Sequence, residues 1–181
     1  MSNINVDDAI LLSLYKVEEH KIRIGRTVIQ KILYFASKKR CVDVRYTPYY
    51  YGPYSREVDN KLNNLVTFGL VNEEKELLNE KDEKIRYRYT LPEDVKNYVK
   101  NDLLQSEEST KMLEIVDTLY DACKLDYKKI SFAAKVDYIE EYFASDENEV
   151  SKKAKELGWE IKHQDYNDAK SMLKAMSEMS L

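Results

Sequence analysis

Four glycines and three prolines in 181 residues leave little turn chemistry. That scarcity excludes a many-stranded sandwich, a collagen-like repeat and a Gly/Pro-rich linker, and it predicts helices joined by short connections. Cysteine is equally sparse: Cys41 and Cys123 lie far apart and neither belongs to a CxxC pair. Buried reduced thiols are expected, not a disulfide. The two histidines, His20 and His163, have no ligand-spaced neighbour, so no metal is expected. A run of about 18 apolar residues, the length needed to span a bilayer, is missing, so no membrane partner is expected. Asp7 and Asp8 stand where a secretory signal would carry positive charge, which predicts a cytoplasmic protein. GxSxG, P-loop and GxGxxG strings are absent as well. Glu140 and Glu141 occupy adjacent helical positions, so their carboxylates diverge. The expectation is a protein that is not an enzyme and takes no cofactor.

What is present is apolar and charged in nearly equal measure, with 43% hydrophobic and 34% charged residues and a net charge of −4. The charge is unevenly spread. Residues 21–61 hold ten Lys/Arg against three acids, whereas residues 106–181 hold eleven Lys against seventeen acids. A basic segment in an acidic protein can meet a phosphate backbone, or it can simply be a solvated face. The polar stretch 101–109 divides the chain into a 1–104 half and an acidic helical 105–181 half, expected to form one domain with two lobes.

Helical spacing of Ile10, Leu11, Leu14 and Val17 predicts a first helix over 7–19, and Val28, Ile29, Ile32, Leu33 and Ala36 a second over 25–40. Thr47-Pro48-Tyr49-Tyr50-Tyr51-Gly52-Pro53-Tyr54 cannot be helical throughout, and reads as an ordered loop or short strand with a turn. Ser55 can cap a third helix that buries Val58, Leu62, Leu65 and Val66 and ends at Gly69. A strand is expected to begin at Leu70-Val71, followed by a polar loop over 76–83. The alternation Lys84 to Thr90 predicts a second strand. Thr90-x-x-Glu93 reads as a capping box opening a helix that carries Val95 and Tyr98. Beyond it, helices are expected over 107–124 (Met112, Ile115, Val116, Leu119, Cys123) and 127–144 (Phe132, Val136, Ile139, Phe143). A final helical pair is separated by Gly158-Trp159. The fold class is therefore mostly α with a small β-hairpin: a winged helix-turn-helix-like N-terminal half and a C-terminal helical half.

Three features could carry function. With its apolar residues buried, the third helix presents Arg56, Asn60, Asn63 and Thr67 at i, i+4, i+7 and i+11, a stripe without acids. Arg and Asn can make bidentate contacts to guanine and adenine edges in a major groove. Period-two geometry places Lys84, Arg86 and Arg88 together on one face of the following strand. Such a wing could track phosphates, or its charges could merely discourage edge-to-edge pairing. Finally, Tyr46, Tyr49, Tyr50, Tyr51 and Tyr54 cluster in one segment of a chain with 15 tyrosines. Tyrosine suits protein interfaces, although packing across the first two helices would also use these rings, Tyr51 above all.

Gln30-Lys31-Ile32-Leu33-Tyr34-Phe35-Ala36, then Tyr51-Gly52-Pro53-Tyr54-Ser55 and a helix ending in Gly69-Leu70-Val71, resembles the Panacea family of antitoxin-like and proteolytic-adaptor proteins. The likeness is closer to that family's poorly characterised bacterial and archaeal relatives. Ala133-Ala134-Lys135-Val136 and Leu157-Gly158-Trp159 extend it over most of the chain. The resemblance implies toxin neutralisation or presentation of a partner to a protease, with no cofactor and no catalytic residues. Tyr50-Tyr51 stands here where many members have a Trp-Lys-Tyr-type string before Gly-Pro.

Two partner classes follow. In the leading reading, a transcriptional regulator binds duplex DNA through Arg56, Asn60, Asn63, Thr67, Lys84, Arg86 and Arg88, with the acidic half available for homodimerisation. In the alternative, an antitoxin or adaptor holds a toxin-like protein through Tyr46, Tyr49, Tyr50 and Tyr54.

Overall fold

Apolar residues repeating every three to four positions become eight α-helices among the described residues, and the two stretches that break that period become two antiparallel hairpins. The computed structural model describes residues 4–79, 84–143 and 146–179, and the side chains of Leu78, Asn79 and Lys84 lie outside that description. None of the described helices is long and apolar enough to cross a membrane.

Helix α1 (Val6–Glu19) starts where the Asn5 side chain accepts from the Asp8 backbone N–H, with Asp7 and Asp8 complementing the helix dipole. Helix α2 (Arg26–Lys38) is buried along most of its length. Strands β1 (Thr47–Tyr49) and β2 (Gly52–Tyr54) form a short hairpin that pairs Thr47 with Tyr54 and Tyr49 with Gly52. Ser55 caps α3 (Arg56–Thr67), whose buried face is Val58, Leu62 and Leu65. Gly69 follows with φ +73, the left-handed conformation that ends helices.

Strands β3 (Asn72–Asn79) and β4 (Lys84–Thr90) then make the second hairpin, paired from Asn72–Thr90 outward. Helix, helix, helix, hairpin is the winged-helix order, with the β1–β2 hairpin inserted between the second and third helices. A bridge between Ile24 and Tyr89 ties the wing to the chain entering α2.

Some boundaries differ from expectation. Strand β3 begins at Asn72, because Val71 turns into the core instead. The expected loop at 76–83 is strand as far as Asn79, since Glu76 finds a cross-strand arginine; residues 80–83 lie outside the described residues. The Thr90–Glu93 capping box does not form. Thr90 stays in the ladder, and Pro92 is the residue before α4 (Glu93–Asn101), with no side-chain cap. Val99 accompanies Val95 inward, and Tyr98 is exposed.

The second half holds α5 (Glu107–Cys123), α6 (Tyr127–Tyr142), α7 (Glu147–Glu156) and α8 (His163–Ser177). Phe143, expected in the core, falls beyond the end of α6 and is exposed. The two halves share one core. Helix α5 lies against α1 and α2, α6 against α2 and β2, and α8 against α5 and α6. Leu12, Leu33 and Leu62 from the first half join Ile115, Leu119 and Val136 from the second in one buried cluster. Polar ties cross the same seam. Tyr34 donates to Asp137 at 2.6 Å, Lys38 pairs with Asp137 and Glu141, and His20 meets Asp117 while stacked on Tyr120.

Candidate functional site

The β1–β2 hairpin has little core of its own, so its position depends on what grips its backbone. Gln30 grips one end: its side-chain N–H donates to the Ser55 carbonyl at 2.9 Å, and its side-chain oxygen accepts from the Ser55 N–H at 3.0 Å. The neighbouring Lys31 ammonium donates to the Pro53 carbonyl at 2.5 Å, and the Trp159 indole N–H donates to the Tyr49 carbonyl at 2.6 Å. Gly52 makes the close approach possible. Its φ is +101, and a Cβ there would stand 3.0 Å from Lys135 Cγ and 3.5 Å from Lys31 Cε. The Gln30-Lys31 and Gly52-Pro53 strings are thus two sides of one clasp.

Pinned in this way, the hairpin holds three consecutive tyrosines out of the body. Tyr49, Tyr50 and Tyr51 are 53%, 77% and 62% exposed. Tyr51 was expected to pack inward, but the turn into Gly52 carries it outward. The Tyr49 ring meets Tyr50 edge-on at 4.8 Å and leans on the half-buried Tyr54 at 4.9 Å. Tyr46 is a correction to the expected contact set. It is only partly exposed, packs edge-on against Tyr34 at 5.2 Å and directs its hydroxyl to the Gln30 carbonyl. Its role is to seat the hairpin.

Beneath the turn lies a pair of buried lysines that the helical spacing hid. Lys31 is 2% exposed, and burial followed by the nearby Lys135 charge pushes its ammonium down to about 7. Lys135 is buried as well, over the faces of Phe132 and Trp159, and burial lowers its pKa too. Neither has a carboxylate within ion-pairing distance among the described residues. Beside them the Ser131 hydroxyl is buried without a hydrogen-bond partner among the described residues. A signal for Lys31 did exist: it sits three residues after Val28 and four before Phe35, on the apolar face of α2.

The expected nucleic-acid surface is assembled in part. Arg56, Asn60, Asn63 and Thr67 are all exposed on α3. Asn63 is nevertheless engaged, because its side-chain oxygen accepts from Arg26 at 2.8 Å. Arg26 also donates to Asp59 at 2.5 Å and to the Tyr89 hydroxyl, which itself donates to Glu73. This one guanidinium joins α2, α3, β3 and β4. Burial and the Glu73 hydrogen bond raise the Tyr89 hydroxyl to about 12.

On β4 the cationic face is not left to itself. The ladder sets Glu74 opposite Arg88 and Glu76 opposite Arg86, which puts acids and bases on one face. Arg88 pairs with Glu76 at 3.3 Å and donates to the Arg23 carbonyl, and Arg23 pairs with Glu74 at 2.6 Å. Arg86 has no ion pair among the described residues, and the Lys84 side chain lies outside them. The sequence pattern isolated the cations because it assigned Glu76 to a loop. The opposite face of the wing exposes Leu77, Ile85 and Tyr87.

Cys41 and Cys123 are separate buried thiols, and burial raises both pKa values, Cys41 to about 11. No group of three His, Cys, Asp or Glu able to hold a metal occurs among the described residues. A cleft of about 450 Å³ opens between α5, α6 and α8, floored by Cys123, Phe132, Ala169 and Met172. The acids on its rim are already used: Asp126 caps α6, and Asp165 accepts from the Lys162 N–H.

No protein-family model matches the chain. Over 123 residues it is 30% identical to the uncharacterized protein YwgA of Bacillus subtilis (strain 168), a match covering 59% of this chain and 70% of YwgA. By that identity and coverage, the chain belongs to the same family as YwgA.

Proposed function

We propose that this chain is a non-catalytic cytoplasmic binding protein that holds a protein partner on its β1–β2 hairpin. The observation that carries the reading is the run Tyr49-Tyr50-Tyr51, exposed on a backbone clamped from α2 and from Trp159. Exposed aromatic rings on a flexible loop would lose much of their binding energy to ordering. On a clamped hairpin that cost is already met by the fold, and buried aromatic anchors are worth about 2 kcal/mol or more each at an interface. The resemblance to Panacea antitoxins and adaptors points the same way, toward neutralising a toxin-like protein or presenting one to a protease.

The test is in-cell photo-crosslinking with a photoreactive aromatic at position 50, alongside controls at Ile85 on the wing and Lys174 on α8. A discrete protein adduct at 50, not seen at the controls, supports the reading. Adducts no different from those at the controls end it.

A second reading, duplex DNA binding in transcriptional regulation, is favoured by a specific feature. The acid-free stripe Arg56, Asn60 and Thr67 is fully presented beside a hairpin on which Arg86 has no ion pair among the described residues. It ranks second because Glu74 and Glu76 share the cationic face. Phosphate contacts release counterions, so duplex binding must weaken steeply with salt. An anisotropy titration at two salt concentrations that detects no such binding removes it.

A further inference from the structure

Resting on the hairpin as the contact surface, we infer that the partner presents an acidic segment, gripped by Arg45 and Arg56, which bracket the tyrosines in sequence and stand at the open end of the hairpin. Residues 44–56 contain five tyrosines, two arginines and no acid, in a chain where acids outnumber Lys and Arg by 33 to 29. The two arginines flank the same end of the hairpin. The ladder pairs Thr47 with Tyr54, and Arg45 precedes the first by two positions while Arg56 follows the second by two. Both are exposed.

Three of the seven arginines are answered by carboxylates. Arg23 has Glu74, Arg26 has Asp59 and Arg88 has Glu76. Arg40 and Arg86 share with Arg45 and Arg56 the lack of an ion pair among the described residues. The nearest acid on α3 that could serve Arg56, Asp59, is already held by Arg26 at 2.5 Å. Glu57, exposed beside Arg56, makes no ion pair with it among the described residues.

Arg56 is also in an unfavourable place. It is the first residue of α3, at the positive end of the helix dipole, where a cation is disfavoured. A residue set against its local preference and given no ion-pair partner among the described residues fits a contact made outside the fold. Arginine next to tyrosine is the composition of interface hot spots, and arginine grips carboxylates bidentately.

A single-stranded nucleic acid would also meet rings and cations, but the ring geometry favours a protein. Tyr49 and Tyr50 meet at 68° and Tyr49 and Tyr54 at 31°, so the rings pack on one another. They do not present a row of parallel faces on which successive bases could stack.

The experiment is fluorescence anisotropy on the full chain with three labelled probes: a Glu-rich peptide interspersed with Leu and Phe, its counterpart with every Glu replaced by Lys, and an oligothymidylate of the same net charge as the Glu peptide. The acidic peptide should bind at least tenfold more tightly than either of the others, and Arg45→Glu with Arg56→Glu should reverse the preference toward the Lys peptide. A folding defect would weaken both peptides and could not reverse their order. Arg45→Gln with Arg56→Gln should abolish the preference without reversing it. Equal or tighter binding of the Lys peptide or the oligothymidylate overturns the inference, as does no binding of any probe. If photo-crosslinking at position 50 captures a partner that the double Glu variant retains at full strength, the tyrosine contact stands and the acidic selectivity falls.

Discussion

Lys31 places an amine of folded-state pKa about 7 in a site that is 2% exposed. Its ordinary value is 10.5. Between those values the unfolded chain binds a proton that the folded chain does not, so stability must rise with pH in that window and be lowest below about 7. Well above pH 7 the slope approaches about 1.4 kcal/mol per pH unit. Urea unfolding of the wild type from pH 6.5 to 9 should show this rise, and Lys31→Met should reduce its slope, leaving the part contributed by the lowered pKa of Lys135, whatever the variant's absolute stability. Parallel slopes for the two proteins would mean that the amine stays charged when buried.

Gly52 permits a sharper test of the same spot. Gly52→Ala forces an L residue to φ +101 and sets its Cβ against Lys135 Cγ at 3.0 Å. Gly69→Ala meets the left-handed backbone cost alone, since a Cβ at Gly69 has nothing within 4 Å. Thermal unfolding should find Gly52→Ala destabilised by about 2–3 kcal/mol and Gly69→Ala by about 1 kcal/mol.

Among the elements, the wing depends most on a single residue. Arg26 donates to Asp59, Asn63 and the Tyr89 hydroxyl, with Glu73 at 3.5 Å. Arg26→Ala should cost about 2 kcal/mol, the buried-pair figure reduced for partial solvent screening. It should also speed hydrogen exchange in 72–77 and 85–89 more than in α5 or α6. Arg26→Lys should not restore protection, because a single ammonium cannot span acceptors on three elements. Uniform acceleration across all helices would refute the hub role.

The helices were readable in advance because their apolar spacing is strong and Ser55 and Gly69 mark ends in the expected way. The β4 alternation was readable for the same reason. What could not be read was any pairing between distant positions. Glu74 and Glu76 neutralise the wing only once β3 is known to extend to Asn79. Gln30 and Lys31 looked like ordinary members of a helix until the hairpin was placed over them. Of the tyrosines, Tyr49 and Tyr50 point outward as expected, whereas Tyr46 and Tyr51 exchange their expected places, because the direction of a turn is set by contacts remote in sequence.

At the scale of the whole molecule, the boundary near residue 104 separates compositions without separating cores. Ile115, Leu119 and Val136 close the core over α1 and α2, so a 1–104 fragment would expose that apolar face to water. Urea unfolding of the intact chain should be one cooperative transition at any wavelength, and the fragment should show helical signal without a cooperative transition. A sharp transition in the isolated fragment would make the halves independent domains. The tie between Trp159 and the Tyr49 carbonyl has an optical consequence, since this indole is the chain's one tryptophan. Its emission is a label-free reporter placed at the root of the hairpin: a ligand that draws the tyrosines away must break the indole's hydrogen bond and shift its spectrum, whereas one docking on the wing leaves the spectrum unchanged.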